Sequence, residues 1–300
     1  MYQQYINGLI HGDIKALARC ISLVENEAAG YTTLLEQLPV NNHTKVVGIT
    51  GPPGAGKSTL VNALITHLLD QQKRIAIIAI DPSSPFNFGA LLGDRIRMSQ
   101  HFNNPLVFIR SMASRGALGG LSPKIIEVSD LIKAAGFDYL FIETVGVGQS
   151  EVEIAGIADT TVVVVVPEAG DEIQTMKAGL MEIADIFVVN KSDRDSADAF
   201  VKNLRLLAHS KHHDDWEIPV IKSVATQQEG INEISAAITR HHQGVLHHQQ
   251  RHTLLLAEKA YQLLQYRRMK DVSKKQLQLE IQALLQSETF NLYRYVATKN

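Results

Sequence analysis

Residues 46–60 read Val-Val-Gly-Ile-Thr-Gly-Pro-Pro-Gly-Ala-Gly-Lys-Ser-Thr-Leu, and this stretch limits what the chain can become more than any other. A short β-branched run ends at Gly51. The loop Pro52, Pro53, Gly54, Ala55, Gly56 follows, and Lys57, Ser58 and Thr59 then open an apolar pattern of helical spacing at Leu60, Val61, Leu64 and Leu68. Strand, glycine-rich loop and helix in that order form the Walker A arrangement. Glycines let the backbone wrap tightly enough for its N–H groups to surround a β-phosphate, and the helix start adds unpaired donors and partial positive charge. Lys57 is expected to reach the β- and γ-phosphate oxygens, and the Ser58 hydroxyl to ligate Mg²⁺.

The rest of the chain supports that context. From Lys45 to about Arg240, apolar runs at 46–50, 75–80, 106–109, 139–142, 161–166, 186–189 and 220–222 alternate with helical patterns at about 58–70, 124–135, 172–182, 196–209 and 231–241. The runs are mostly continuous rather than alternating, as in strands buried on both faces. The expected fold is therefore α/β, a P-loop NTPase with a mostly parallel, doubly wound sheet and its ligand beyond the carboxyl ends of the strands. Three parts are expected. Residues 1–44 form a helical N-terminal extension, with Ile6, Ile10, Ile14, Leu17, Ile21 and Val24 on one face of a helix over 3–27 and Gly30 as its stop. Residues 45–243 form the nucleotide domain, and residues 244–300 a helical C-terminal arm.

The strand-end rule says where to look for acids. Asp81 follows one strand and Glu143 another, so each can serve Mg²⁺ directly or through water; Asp94 is a third candidate. Arg115, in a second glycine-rich loop, either reaches phosphate or lies on the surface. In Glu143-Thr-Val-Gly146 the acid precedes a glycine by three residues, the spacing of a loop whose Gly146 N–H senses a γ-phosphate. Val147 stands where a water-positioning glutamine is found in Ras-like enzymes; Gln149 is the substitute at hand, and slow unaided hydrolysis is expected. The strand at 186–189 ends in Asn190-Lys191-Ser192-Asp193. The Asp193 carboxylate can accept from both the ring N–H and the exocyclic amine of guanine, a pair of donors adenine lacks. Asn190 is expected to bond the far edge of the base and brace the neighbouring loop, and the Lys191 stem to stack on the ring. Ser223, Val224 and Ala225 follow another strand, with backbone N–H groups expected to meet the guanine carbonyl.

Composition sets the outer bounds. The 300 residues carry a net charge of −2, so no global basic field argues for nucleic acid or an anionic membrane. Cys20 stands alone, which fits a reducing compartment, and no apolar run approaches the roughly 20 residues a membrane span requires. No secretory signal is visible at the N-terminus, and a cytoplasmic protein is expected.

Taken together, the Walker A, Glu143-Thr-Val-Gly146 and Asn190-Lys-Ser-Asp193 resemble the metallochaperone-like branch of P-loop GTPases. Longer strings narrow this: Leu17-Ala-Arg-Cys-Ile-Ser-Leu-Val-Glu-Asn26, Asp81-Pro-Ser-Ser-Pro, Leu92-Gly-Asp94-Arg-Ile-Arg-Met98, Ser114-Arg-Gly-Ala-Leu-Gly-Gly120 and Glu143-Thr-Val-Gly-Val-Gly-Gln-Ser-Glu151 resemble the MeaB/ArgK family over about residues 1–270. The family is the methylmalonyl-CoA mutase-associated GTPases, also labelled LAO/AO transport ATPases. The resemblance implies a GTP-hydrolysing, Mg²⁺-dependent chaperone that gates adenosylcobalamin loading of an acyl-CoA mutase and protects that enzyme. It also implies a metal shell drawn from Ser58, Asp81, Asp94 and Glu143, an additional switch at Pro167–Lys177, and a homodimer formed through the C-terminal arm. Against that pattern the arm is expected to be short, with little after Leu285 beyond Tyr293-Arg-Tyr-Val296. Two rival readings remain: a nickel- or zinc-insertion chaperone, and an ATP-using kinase or transport accessory protein.

The tail pattern gives two helices over 252–286, with Leu254, Ala257, Tyr261 and Leu264 on one stripe and Leu277, Ile281 and Leu284 on another. Arg267, Arg268, Lys270, Lys274 and Lys275 cluster between them, as a solvated connection or a face for an acidic partner. His241, His242, His247, His248 and His252 are expected to be exposed helix-end histidines; His248 and His252, four residues apart, are the metal-ligand alternative.

Overall fold

The computed structural model describes residues 2–41, 43–81, 98–113, 121–144, 153–167, 178–209, 216–247, 249–286 and 290–299. By contacts the chain divides into two compact units, Met1–Leu255 and Leu256–Asn300.

The first unit opens with three helices, α1 (Gln3–Ile10), α2 (Ile14–Glu25) and α3 (Tyr31–Glu36). The single helix expected over 3–27 is thus broken. Asp13 takes an extended conformation and its carboxylate accepts the N–H groups of Lys15 and Ala16, so it starts a new helix instead of continuing the old one. Gly30, read as a stop, instead precedes α3. The apolar face is met in part: Ile6, Leu17, Ile21 and Val24 are buried, Ile14 is half-buried and Ile10 is exposed, while Leu9, outside the expected face, is buried.

Then strands and helices alternate: β1 (Lys45–Thr50), α4 (Lys57–Asp70), β2 (Ile75–Asp81), β3 (Val107–Ala113), α5 (Ile125–Ala134), β4 (Tyr139–Glu143), β5 (Thr160–Val165), α6 (Ala178–Ile183), β6 (Ile186–Asn190), α7 (Ala197–His209), β7 (Val220–Ser223) and α8 (Ile231–His247). Among the described residues the seven strands form one sheet in the order β3-β2-β4-β1-β5-β6-β7, and every pairing is parallel. The apolar run at 106–109 is only the start of β3, which continues through the more polar Arg110 and Ser111 as a sheet edge permits.

Side chains of β5 and β6 divide between two faces, as the pleat requires. Val162, Val164 and Val188 pack with Leu60, Leu64 and Ile65 of α4 and with Ile234, Ala237 and Ile238 of α8. Val163, Val165, Phe187 and Val189 pack with Met181 of α6 and Phe200, Val201 and Leu204 of α7. Helix α2 and the turn after it join the sheet side through ionic contacts as well as apolar ones. Arg110 of β3 pairs with Glu25 of α2, and buried Lys124 pairs with Glu27 at 3.0 Å and Glu127 at 3.1 Å.

The amino ends of the strands hold a feature the sequence misled on. His241 and His242 of α8 are buried, not exposed. His241 shares a hydrogen bond with Thr160 Oγ1 at 2.8 Å and lies 3.3 Å from Asp185, and the edge-on ring of Trp216 is 4.8 Å away between centroids. Asp185 accepts the Thr161 N–H at 2.8 Å, and Trp216 donates its indole N–H to the Asp185 carbonyl at 2.8 Å. His242 faces Asp159, which in turn accepts the Val46 N–H. The helical spacing of the histidines gave no hint that aspartates from two strand starts would meet them. His248 and the side chains of His247 and His252 lie outside the described residues. Among those described, no group of three or more His, Cys, Asp or Glu side chains is placed to hold a metal.

In the second unit, α9 (Gln249–Met269, whose first residues belong to the first unit), α10 (Lys274–Leu284) and α11 (Leu292–Ala297) make up the tail. The last is a helical turn the sequence pattern did not register; its Tyr295 donates to Glu280 of α10 at 2.7 Å. Leu256, Leu264 and Leu279 are each more than half exposed. No helix among the described residues is long and apolar enough to cross a membrane.

Candidate functional site

β1 lies at the centre of the sheet between β4 and β5, and its carboxyl end delivers the glycine-rich loop into the crevice above the strands. Gly56 ends that loop with φ +86°, and a Cβ there would stand 2.4 Å from the Asn190 side-chain nitrogen; only glycine lets the two segments approach so closely. Helix α4 begins at Lys57, so the loop amides and the helix start face the same space. A cavity of about 440 Å³ opens there, lined by Pro53, Gly54, Gly56, Lys57, Ser58, Thr59, Ala79, Ile80, Glu143, Thr144 and Lys191.

Buried Lys57 arches back over the loop and donates to Gly51 O at 2.8 Å and Pro52 O at 3.0 Å. Its ammonium thus stands at the loop's mouth. Ser58 donates to Glu143 Oε1 at 2.6 Å across the tops of α4 and β4. A hydroxyl and a carboxylate this close in the cavity beside the glycine-rich loop are hard oxygen donors, which fits a hard divalent cation such as Mg²⁺. Thr144, to which the sequence reading gave no separate role, lines the same cavity and bonds Thr50 at 3.2 Å.

On the other flank, Asn190 closes β6 and engages both its amide nitrogen and its amide oxygen within the protein. It donates to Ala55 O at 2.9 Å and accepts from Ser223 Oγ at 3.1 Å and Ala225 N–H at 3.2 Å. Bracing of the phosphate loop was expected, but the simultaneous grip on the segment after β7 was not. Lys191 has φ +57° and donates to Gly54 O at 2.9 Å, laying its stem along the rim. Asp193 is exposed beside a second cleft of about 590 Å³ that also includes Ser223 and Val224. The Val224 and Ala225 N–H groups, expected to face guanine, already have acceptors in Glu229 O and Asn190 Oδ1.

The arrangement brings an anion loop, a lysine, a pair of hard oxygens and an exposed carboxylate onto one end of one sheet. A sequence model of the family described as "Methylmalonyl Co-A mutase-associated GTPase MeaB" matches residues 17–280. The chain belongs to this family. As a MeaB-family member it is a GTPase, and it binds guanine nucleotide. A GTPase by name from Pyrococcus abyssi is 49% identical over 246 residues, covering 80% of this chain and 76% of that protein. The GTPase ArgK of Escherichia coli is 38% identical over 243 residues, with 78% and 73% covered. The crystal structure of a LAO/AO transport system kinase superposes with a TM-score of 0.70 at 30% identity, covering 93% of this chain and 84% of that one.

Several MeaB-family positions named from sequence lie outside the described residues: Asp94, Arg115, Gly146, Gln149 and the switch segment from 168 to Lys177. For Asp81 only the backbone is described; it ends β2 at the same sheet edge as Glu143.

Proposed function

We propose that this GTPase is a chaperone for an adenosylcobalamin-dependent acyl-CoA mutase of the methylmalonyl-CoA mutase type, gating cofactor loading and protecting the mutase. One observation carries the reading: residues 17–280 match a family described by its association with that mutase, and this span contains the whole nucleotide edge. The output of hydrolysis is then conformational. Lys57 and the amides from Gly51 to Thr59 hold the phosphates. Asn190, Lys191 and Asp193 select guanine, with Ser223, Val224 and Ala225 framing the base. Ser58 and Glu143, together with Asp81 and Asp94, would hold Mg²⁺. When bound, the ion would spread the charge of the β- and γ-phosphates. Gly146 and the segment Pro167–Lys177 relay the nucleotide state, Gln149 stands in as the water-positioning residue, and the partner's arrival completes a site that is slow alone.

Residues 244–300 are proposed as a homodimerisation arm of a cytoplasmic protein. Support comes from α10, which buries none of its own residues. The arm also exposes Leu256, Leu264 and Leu279, apolar surface that a second copy would cover.

The test is affinity capture from the source cell on full-length protein loaded with non-hydrolysable GTP. A cobalamin-dependent mutase is expected; repeated recovery of a nickel-enzyme precursor would replace this reading with the metal-insertion one. Equal affinity for ATP and GTP, within about tenfold, would favour the kinase-like alternative. Glu143→Gln should leave GDP binding without Mg²⁺ intact and reduce the gain in affinity that Mg²⁺ brings.

A further inference from the structure

The turn after β7 carries a constraint that the residues assigned above do not explain. Val224 N–H donates to Glu229 O at 3.2 Å and Glu229 N–H returns to Val224 O at 3.3 Å, an antiparallel bridge closing the segment on itself. Inside it Ala225–Gln227 form one 3-10 turn, with Gln227 N–H on Val224 O at 2.8 Å, and exposed Gln228 turns left-handed at φ +61°. Gly230 then has φ +77°. A Cβ on it would lie 2.1 Å from the Lys222 carbonyl oxygen and 3.1 Å from Ser223 Cα. Both the dihedral and the space exclude any side chain, and the atoms in the way are backbone of β7, which cannot swing aside.

What this turn holds is the base-recognition edge. Ser223 O accepts from both Ser192 N–H and Ser192 Oγ, each at 3.1 Å. Ser223 Oγ and Ala225 N–H both donate to Asn190 Oδ1. Every residue of Asn190–Asp193 is thus tied to, or adjacent to a residue tied to, the three positions Ser223–Ala225. Behind the turn, Ala225 and Ile231 are buried in the core with α4 and α8, so the turn cannot relieve a clash by moving outward as a body. A displacement at residue 230 must therefore pass to Lys222–Ser223, and through the Ser192 clip to Asp193.

We propose that Gly230 is a positioning residue for guanine recognition: its side-chain-free backbone sets Ser223–Ala225, and these set Asn190 and the Ser192–Asp193 pair. The inference rests on the GTPase reading of the site and adds a determinant of base choice distant from the base. Its signature is a loss of discrimination, not merely of affinity. Inosine lacks the exocyclic amine, one of the two donors available to Asp193, so the ratio of inosine to guanine dissociation constants reports how well that carboxylate is placed. A general loosening of the fold or of the phosphate loop weakens both nucleotides alike and leaves the ratio unmoved.

The test uses the full chain and equilibrium binding of GDP and IDP with Mg²⁺. Gly230→Ala should cut the ratio by about tenfold. Gln228→Val, a β-branched residue at a left-handed position on the exposed tip, should lower it in the same direction by less, and Gln228→Gly should keep the wild-type ratio. A folded Gly230→Ala variant with the wild-type ratio overturns the proposal. If Gly230→Ala does not fold, Gln228→Val decides, and an unchanged ratio there overturns it equally. A wild-type chain that binds neither nucleotide would instead sink the GTPase reading, and this inference with it.

Discussion

Lys191 spends free energy to stand where it does. A non-glycine residue at φ +57° costs about 1–2 kcal/mol, and here the bond from its ammonium to Gly54 O helps offset that. Strain of this kind beside a binding edge is held by surrounding contacts, here the Asn190 and Ser192 bonds on either side. The four-letter pattern Asn-Lys-x-Asp drew attention to these residues, but not to the bonds by which Asn190 Oδ1 grips Ser223 and Ala225. Asp193→Asn should lower GTP affinity by about 100-fold or more and create a preference for xanthosine triphosphate, read by competition binding. Cys20 and His101 are among the groups that their surroundings displace from their ordinary pKa. Burial pushes the Cys20 thiol up to about 11, so it stays neutral and covered at pH 8. It should react with a disulfide reagent only once the chain is unfolded. Burial also lowers the pKa of His101, with a backbone hydrogen bond to Asn62 opposing the shift. The unfolded chain then takes up the proton first, so this residue's penalty is absent above about pH 6.5 and grows as pH falls below it toward the lower folded value. His101→Gln should flatten that part of the stability profile in urea melts between pH 7 and 5.5.

At the scale of elements, α8 is held at both ends of the sheet. Its start follows Gly230 at the nucleotide edge, and its His241 and His242 meet Asp185 and Asp159 at the opposite edge. Removing the Asp185 carboxylate deprives a buried Thr161 N–H of its acceptor and takes from buried His241 the acidic group 3.3 Å away. Asp185→Ala should therefore cost about 3 kcal/mol, seen as a lower urea midpoint at unchanged m, with GDP affinity within about threefold of wild type. An unaltered midpoint would mean the latch contributes nothing. Helical and strand patterns located nearly every element here because buried strands and amphipathic helices announce themselves by hydrophobic spacing. The break between α1 and α2 escaped because apolar periodicity ran straight through it; only the Asp13 cap distinguishes a new helix from a continued one.

For the whole molecule, the contact division at Leu255 separates the sheet and its edge from the last helices. A chain ending at Leu255 should bind GDP within about threefold of the full chain. In the dimer reading, light scattering should find it monomeric and the full chain dimeric. The sequence by itself determined that a parallel α/β sheet would present a glycine-rich Walker A loop and an Asn-Lys-x-Asp strand end at one edge, because those depend on local backbone chemistry and on hydrophobic spacing along the chain. Only the tertiary structure decided the strand order, the pairing of Ser58 with Glu143, the burial of His241 and His242, and the contact of Gly230 with β7. Each of these joins residues that are neighbours in space and not along the chain, and a one-dimensional pattern holds no record of which carbonyl or carboxylate will arrive opposite.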